Sequence, residues 1–185
     1  MDTLPDQLQF CSKQISSALE LAKAHFHTTI DLPGPTGESN RLSMEPTGTV
    51  LSLNGGNVAH WLAQSIQSMA LGNAVTMAGP GADKYAAIIA DWVQEYNTGT
   101  LQAIDAAAGS PTLTDILGNT HLDAVATADL PHIIKPLRKI LADRNGPIVS
   151  LATTLFDISP LVDEKSLCVD TTAAGGNASL LAAAS

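Results

Sequence analysis

The feature that most constrains this chain is a regular alternation of short apolar runs with longer segments of helical periodicity. Between residues 49 and 152 the apolar runs are short and rich in β-branched residues, as in strands that are buried on both faces. The predicted strands are 49–53, 74–77, 100–104, 124–127 and 147–152, and the predicted helices are 57–71, 82–96, 112–117 and 131–144. Such alternation over short connections favours an α/β domain, in which a mostly parallel sheet is covered by helices through right-handed crossovers.

Both ends of the chain differ from this alternating region. Residues 5–29 carry apolar side chains at three- and four-residue steps and are predicted to form a helix, whereas the prolines and glycines of 31–38 predict an ordered turn or a crossing strand. Residues 155–160 are predicted as a linker, 165–170 as a strand, 171–179 are small and polar, and 180–184 are small and apolar. We therefore divide the chain into an N-terminal helix with its crossing segment, 1–44, the alternating domain, 45–152, and a strand with a docking tail, 153–185.

Composition and charge exclude several classes of protein. With 185 residues, 45% apolar and 15% charged, the chain is long enough for one cored domain and too apolar to be disordered. It has no apolar run of about 18 residues, the length of a membrane-spanning helix, and its acidic, polar start is unlike a signal peptide. The formal net charge of −9 opposes binding to nucleic-acid phosphates.

Basic residues and cysteines give only weak indications of a site. One basic cluster consists of Lys135, Arg138, Lys139 and Arg144. It is interpreted either as an anion or partner patch or as the solvated face of a helix. Cys11 and Cys168 have no paired spacing, so we expect free thiols in a reducing cytoplasm, with Cys168 a packed thiol rather than a nucleophile.

No pattern of residues predicts a catalytic or metal site by itself. The loop at 53–57, Leu-Asn-Gly-Gly-Asn, lies between a predicted strand and helix, where a mononucleotide fold holds phosphate. It lacks both standard glycine-rich phosphate motifs, so a flexible turn remains the alternative. The turn at 78–81 carries no charge that would hold a ligand, and the histidines have no zinc-like spacing. We predict no metal site.

Two pairs of segments resemble known families. Residues 45–51, EPTGTVL, and 70–77, ALGNAVTM, resemble the coenzyme domain of aldehyde dehydrogenases, whose pattern is EPxGVV, a helix, and AxGNAVVLKPS. Residues 32–38 and 165–180 are similar to the C-terminal region of long-form proline utilization A, the bacterial flavoproteins that join proline dehydrogenase to glutamate-semialdehyde dehydrogenase. The resemblance covers nearly all of residues 30–185.

The second resemblance implies a Rossmann-like domain that follows the two catalytic domains and is not itself catalytic. In that family a projecting β-flap and the last segment cover the aldehyde dehydrogenase site, in the same chain or a dimer mate, and help to seal the tunnel through which the semialdehyde passes. The parent protein would bind FAD and NAD and be cytoplasmic and bacterial, with peripheral association at the inner membrane left open. We expect this chain to be the C-terminal piece of such a parent, starting at an introduced Met1. The partner-docking residues would be Thr171, Thr172, Ala173, Ala174, Gly175, Gly176, Asn177, Ala178, Ser179 and Leu180.

Departures from the enzyme pattern predict that this domain binds no cofactor. The lysine that holds the adenosine ribose is replaced by Ala78, and the glycine turn beneath the pyrophosphate is replaced by a segment that ends in Asp129. Asn57 aligns with the oxyanion-stabilising asparagine, but Gly55 and Gly56 precede it and the nucleophile motif is missing. The alternatives are a degenerate nucleotide-binding domain that uses Gly55, Gly56 and Asn57, or purely a dimerisation module.

Overall fold

The computed structural model describes residues 4–25, 29–35, 37–96, 100–106, 110–119, 121–128 and 131–170. Its helices are α1 (Leu4–His25), α2 (Val58–Ala70), α3 (Ala82–Tyr96), α4 (Pro111–Asn119) and α5 (Pro131–Ala142), with a 3₁₀ turn at Ser159–Leu161. Its strands are β1 (Ile30–Leu32), β2 (Glu38–Pro46), β3 (Thr49–Leu53), β4 (Ala74–Ala78), β5 (Leu101–Ile104), β6 (Ala124–Thr127), β7 (Ser150–Ala152) and β8 (Val162–Asp170). None of the described helices combines the length and apolar character needed to cross a bilayer.

Five strands form a parallel sheet in the order β5-β4-β3-β6-β7. The first strand of the series lies at the centre, and the chain moves outward first to one side and then to the other, which is the doubly wound arrangement. The central strands β3 and β6 are buried almost along their whole length, as expected for a sheet with helices on both faces. The predicted α/β fold with a mostly parallel sheet is therefore confirmed.

The apolar core lies in two layers, one on each face of this sheet. Successive residues of a strand point to opposite faces, so Val50 packs with Trp61 in the layer that holds α2 and α3. Its neighbour Leu51 packs with Leu113 and Leu137 in the layer that holds α4 and α5. The helices thus cover both faces and leave the carboxyl ends of the strands as the edge where loops gather.

A second sheet, called the flap from here on, consists of β1 (Ile30–Leu32), β2 (Glu38–Pro46) and β8 (Val162–Asp170). All its pairings are antiparallel, and β2 pairs with β8 over nine residues, from Glu38 opposite Asp170 to Pro46 opposite Val162. Every residue of β8 after Val162 is exposed. The strand predicted at 165–170 is confirmed and begins three residues earlier, whereas β2 was not predicted.

The two faces of the flap differ in character. Directly paired residues share a face, so Asp31, Arg41, Glu45 and Lys165 lie on one side, where Arg41 Nε is 3.3 Å from Asp31 Oδ1 and Lys165 Nζ is 2.8 Å from Glu45 Oε1. The opposite face carries the apolar group Ile30, Leu32, Leu42, Met44 and Cys168. The ion-paired face also carries the exposed Leu167 and Val169, and the other face also carries Glu38, Glu164 and Asp170.

Three local predictions need correction. The strand predicted at 147–152 begins only at Ser150, because Gly146 has a φ of 105° and Pro147 has no N–H to donate, so the chain bends there. The predicted linker 155–160 contains part of the 3₁₀ turn. Cys168 is exposed rather than packed, because both faces of the flap reach solvent; Cys11 and Cys168 are both free, as predicted.

Candidate functional site

The carboxyl edge of the parallel sheet is the place where a doubly wound fold binds ligands. The series of strands reverses direction between β3 and β6, so the crevice lies between the loops that follow these two strands. Leu53 and Thr127, the last residues of β3 and β6, are paired across this point. The loop at 54–57 is on one side of the crevice, and residue 128 begins the loop on the other.

Asn57 occupies the N-terminus of α2 with its own side chain. Its Oδ1 accepts hydrogen bonds from the backbone N–H of Ala59 at 3.0 Å and of His60 at 3.3 Å. Its backbone is extended, with φ −103° and ψ 105°, and its carbonyl accepts the first helical bond from Trp61. Asn57 is therefore an N-cap. The amides that would otherwise attract an anion already have a partner.

The loops after β3 and β4 pack directly against each other. Asn54 N donates to Ala78 O at 3.0 Å, and Asn54 Oδ1 accepts from Gly56 N at 2.8 Å. Gly79 has a φ of 150°, and a Cβ at this position would overlap Cβ of Asn54. Ala78, the last residue of β4, is only 2% exposed. The chain itself fills the space between these two loops.

A carboxylate holds the start of α3. Asp105 follows β5, and its Oδ1 accepts a hydrogen bond from Gly81 N at 3.2 Å, just before the first turn of α3. A negative side chain at a helix N-terminus is favourable for the helix. It also places a negative charge at the sheet edge, which disfavours a phosphate there.

Thr127 is a polar side chain at this edge whose hydroxyl has no partner among the described residues. It is fully buried at the end of β6, and its Oγ1 has no hydrogen-bond partner among the residues that the structure describes. Sequence reasoning did not single out Thr127, although its place at the end of a predicted strand was a usable signal. Asp129 and the predicted docking residues Thr171–Leu180 lie outside the described residues. Within the described ranges no three metal-ligating side chains come together.

The amino edge of the sheet holds the base of the flap through Asn73. This side chain is fully buried, and all its contacts are to backbone: Oδ1 accepts from Gly48 N at 2.9 Å, and Nδ2 donates to Ser68 O at 3.1 Å and to Leu161 O at 2.9 Å. Gly48 lies just after β2, and Leu161 immediately precedes β8. One side chain therefore bonds both stems of the flap to the end of α2.

The three hydrogen bonds of the Asn73 side chain are called the clamp from here on, and Asp123 adds a further hydrogen bond beside them. Its Oδ2 accepts from Thr49 N at 2.7 Å, and its carboxylate lies where a side chain at Gly48 would be. Gly48 has a φ of 129°, so both its conformation and the neighbouring carboxylate require glycine. The short link between β2 and β3 is thereby fixed.

The basic cluster on α5 is divided between internal and exposed roles. Arg144 Nη1 donates to Leu117 O, so this guanidinium helps to join the end of α5 to α4. Lys139 Nζ is 2.6 Å from Asp143 Oδ2, an exposed pair one helical turn apart. Lys135 and Arg138 lie exposed on the same helix. The partner patch and the solvated face both remain interpretations for these two residues.

The parallel sheet, its two helical layers and the antiparallel flap define an aldehyde-dehydrogenase-like Rossmann fold. Among solved structures the chain is similar to a bifunctional proline utilization A protein, with a TM-score of 0.66 and 18% sequence identity over 78% of this chain. A variant of proline utilization A from Bradyrhizobium japonicum gives a TM-score of 0.63 and 20% identity over 79% of this chain. The chain spans 15% of the length of each of these proteins.

The same fold occurs in free-standing aldehyde dehydrogenases. Betaine aldehyde dehydrogenase from Staphylococcus aureus, in complex with NAD+, matches with a TM-score of 0.59 and 20% identity; the match covers 80% of this chain and 30% of the enzyme. No protein-family model matches the sequence, and no curated protein matches it. The similarity is therefore one of structure, and the predicted likeness to both groups is confirmed at that level.

Proposed function

We propose that this chain is a non-catalytic domain of a bifunctional proline-catabolic flavoenzyme. In this role it covers the aldehyde dehydrogenase site of the same chain or of a dimer mate and helps to seal the tunnel that carries the semialdehyde between active sites. FAD and NAD would belong to the parent protein and not to this domain. The fold shared with proline utilization A supports the assignment, as does the resemblance of the C-terminal segment.

The observation that carries the non-catalytic role is that side chains of the chain itself occupy the starts of α2 and α3 at the carboxyl edge of the sheet. Asn57 caps α2, Asp105 occupies the start of α3, and Gly79 packs against Asn54. A dinucleotide needs close backbone approach and free N–H groups at this edge. In this chain several of these N–H groups already bond to its own side chains, and Gly79 packs against Asn54. The domain therefore keeps the Rossmann-like scaffold but lacks the free groups that would bind a dinucleotide.

The flap supplies the covering surface. One face carries Ile30 and Leu32, which are 48% and 40% exposed, and the opposite face carries ion pairs beside Leu167 and Val169, which are 56% and 45% exposed. Burying the apolar face against a neighbouring domain would remove this surface from water. Excluding water from a channel protects a reactive intermediate. The docking tail 171–180 follows β8 directly and would extend the same cover.

The test compares the two faces of the flap in the longer protein. Ile30→Ser with Leu32→Ser, or deletion of 171–185, should slow NADH formation from proline and leave flavin reduction by proline unchanged. Leu167→Ser is the control, because Leu167 is 56% exposed and lies on the ion-paired face, and a scrambled tail of the same composition controls for the deletion. Unchanged coupled kinetics in the apolar-face variant and in the deletion would refute the proposal.

A degenerate nucleotide-binding domain is the second candidate, and Thr127 favours it. Its buried Oγ1 lies at the end of β6, beside the crevice, without a partner among the described residues. A nucleotide that satisfied this hydroxyl would produce saturable heat on calorimetric titration with NAD+. Absence of heat at millimolar coenzyme would exclude this candidate.

A dimerisation module is the third candidate. In the flap, β8 is a nine-residue edge strand whose second edge pairs with no described strand, and such an edge can pair with another chain. Light scattering separates this role from tunnel sealing. Dimerisation predicts a concentration-dependent dimer of the isolated chain, lost when a proline replaces Ser166, whereas the sealing role does not require one.

A further inference from the structure

Two glutamine side chains are buried inside the helical layer over the sheet. Gln64 is 1% exposed and Gln67 is fully buried, and both belong to α2. Neither the amide nitrogen nor the amide oxygen of either side chain has a hydrogen-bond partner among the residues that the structure describes. Four polar groups are thus held away from bulk solvent within one turn of one helix.

The position of these amides follows from the contacts of α2. Ser65 faces the sheet, because its Oγ is 2.8 Å from Ser52 Oγ. Gln67 is two residues further along the helix and therefore points away from the sheet. On the side of α2 away from the sheet, α1 packs along the helix, and Ala18, Ala63 and Leu155 form a small apolar cluster. The amides therefore lie at the interface between α2 and α1.

Unpaired amides at this position would be costly. Each buried polar group without a partner lowers the folding equilibrium constant by a factor of about 5 to 150. Four groups together would lower it by roughly a thousand-fold or more, which is comparable with the whole folding equilibrium of a small domain. A direct bond between the two side chains satisfies one donor and one acceptor and leaves the other atoms unpaired.

We propose that ordered water binds between α1 and α2 and bridges the side-chain amides of Gln64 and Gln67. Residues three apart on a helix are neighbours, so the two amides supply the two to four partners that a buried water needs. Water is the ligand of this site, and the glutamines bind it.

The first test uses the unmodified chain. With ¹⁵N-labelled glutamine, the side-chain NH₂ protons of Gln64 and Gln67 should show direct cross-relaxation with water that persists when exchange is slow. The exposed side chain of Gln102 serves as the reference for surface hydration. Side-chain amides without such transfer, or a crystal structure in which all four amide atoms bond to protein atoms, would overturn the proposal.

The second test replaces the two glutamines that would hold the water. Gln64→Leu with Gln67→Leu removes all four polar atoms at similar volume and lets the water leave, so the folding equilibrium constant should change by less than about tenfold. Gln102→Leu is the exposed control. A loss of more than tenfold would mean that these amides bond protein groups, which the substitutions leave unpaired, and would contradict the proposal. The measurement on the unmodified chain remains decisive if the variant does not fold.

Discussion

Replacing Asn73 by alanine should loosen the base of the flap and destabilise the whole chain. The substitution removes three hydrogen bonds, from Gly48 N at 2.9 Å and to Ser68 O at 3.1 Å and Leu161 O at 2.9 Å. The two carbonyls each keep another donor, since Ser68 O accepts from the backbone N–H of residue 73 and Leu161 O from Thr47 N. Gly48 N–H is left without its partner.

The expected loss of unfolding free energy depends on which of the three backbone groups keep another partner. An orphaned buried donor costs about 1–3 kcal/mol, and each lost bond to a carbonyl that keeps another donor costs about 0.5–1.5 kcal/mol. The total is roughly 2–6 kcal/mol of unfolding free energy. For a chain of this size the melting temperature should fall on the order of 10 °C.

Urea denaturation followed by circular dichroism measures the loss, and amide hydrogen exchange locates it. Exchange should quicken in both β2 and β8, because Asn73 bonds both stems. Asn73→Asp retains an acceptor for Gly48 N but brings a carboxylate against two carbonyl oxygens, so it should be no better than alanine. The exposed Asn145→Ala should stay within about 0.5 kcal/mol. A loss below about 1 kcal/mol in Asn73→Ala would refute the clamp.

Four further substitutions test the packing of the carboxyl edge and of α2. Gly79→Ala should lower the unfolding free energy by about 3 kcal/mol or more in urea denaturation, because the new Cβ would overlap Asn54. Gly56→Ala, at a positive φ but with open space around it, should lower it by only about 1 kcal/mol. Equal losses would contradict the close contact at Gly79. Trp61→Phe removes the indole donor to Ser52 O at 3.1 Å and should cost about 1–3 kcal/mol in the same assay, whereas no loss would mean that this bond is not formed. Asn57→Ala should lower the unfolding free energy by about 1 kcal/mol through loss of the helix cap, and a neutral result in thermal unfolding would argue against capping.

The parallel sheet was predictable because its signals are local. Apolar β-branched runs such as 49–53 and helical spacing such as 82–96 reflect burial within each element, and glycines mark the turns between them. Asn57 also had a local signal, since asparagine immediately before a helix is a preferred cap. The sequence analysis instead placed Asn57 in a turn and aligned it with the oxyanion-stabilising asparagine of aldehyde dehydrogenases.

The flap and its base were harder to predict because they depend on distant pairing. Residues 38–46 are polar, exposed and without clear alternation, so their strand exists only through its pairing with 162–170. Asn73 was seen only as part of a family pattern. Its function as a clamp depends on Leu161, which comes close only when the chain is folded. The buried amides of Gln64 and Gln67 are likewise invisible in a sequence, where glutamine usually indicates a solvated position.

The central claim is that this Rossmann-like domain uses backbone groups at the carboxyl edge of its sheet for its own side chains and therefore binds no dinucleotide. The most direct measurement is a titration of the ¹⁵N-labelled chain with NAD+, following the backbone amides of Gly55, Gly81 and Thr127. The account predicts no saturable shift at these amides up to millimolar coenzyme. Saturable shifts at all three with a micromolar dissociation constant would contradict it.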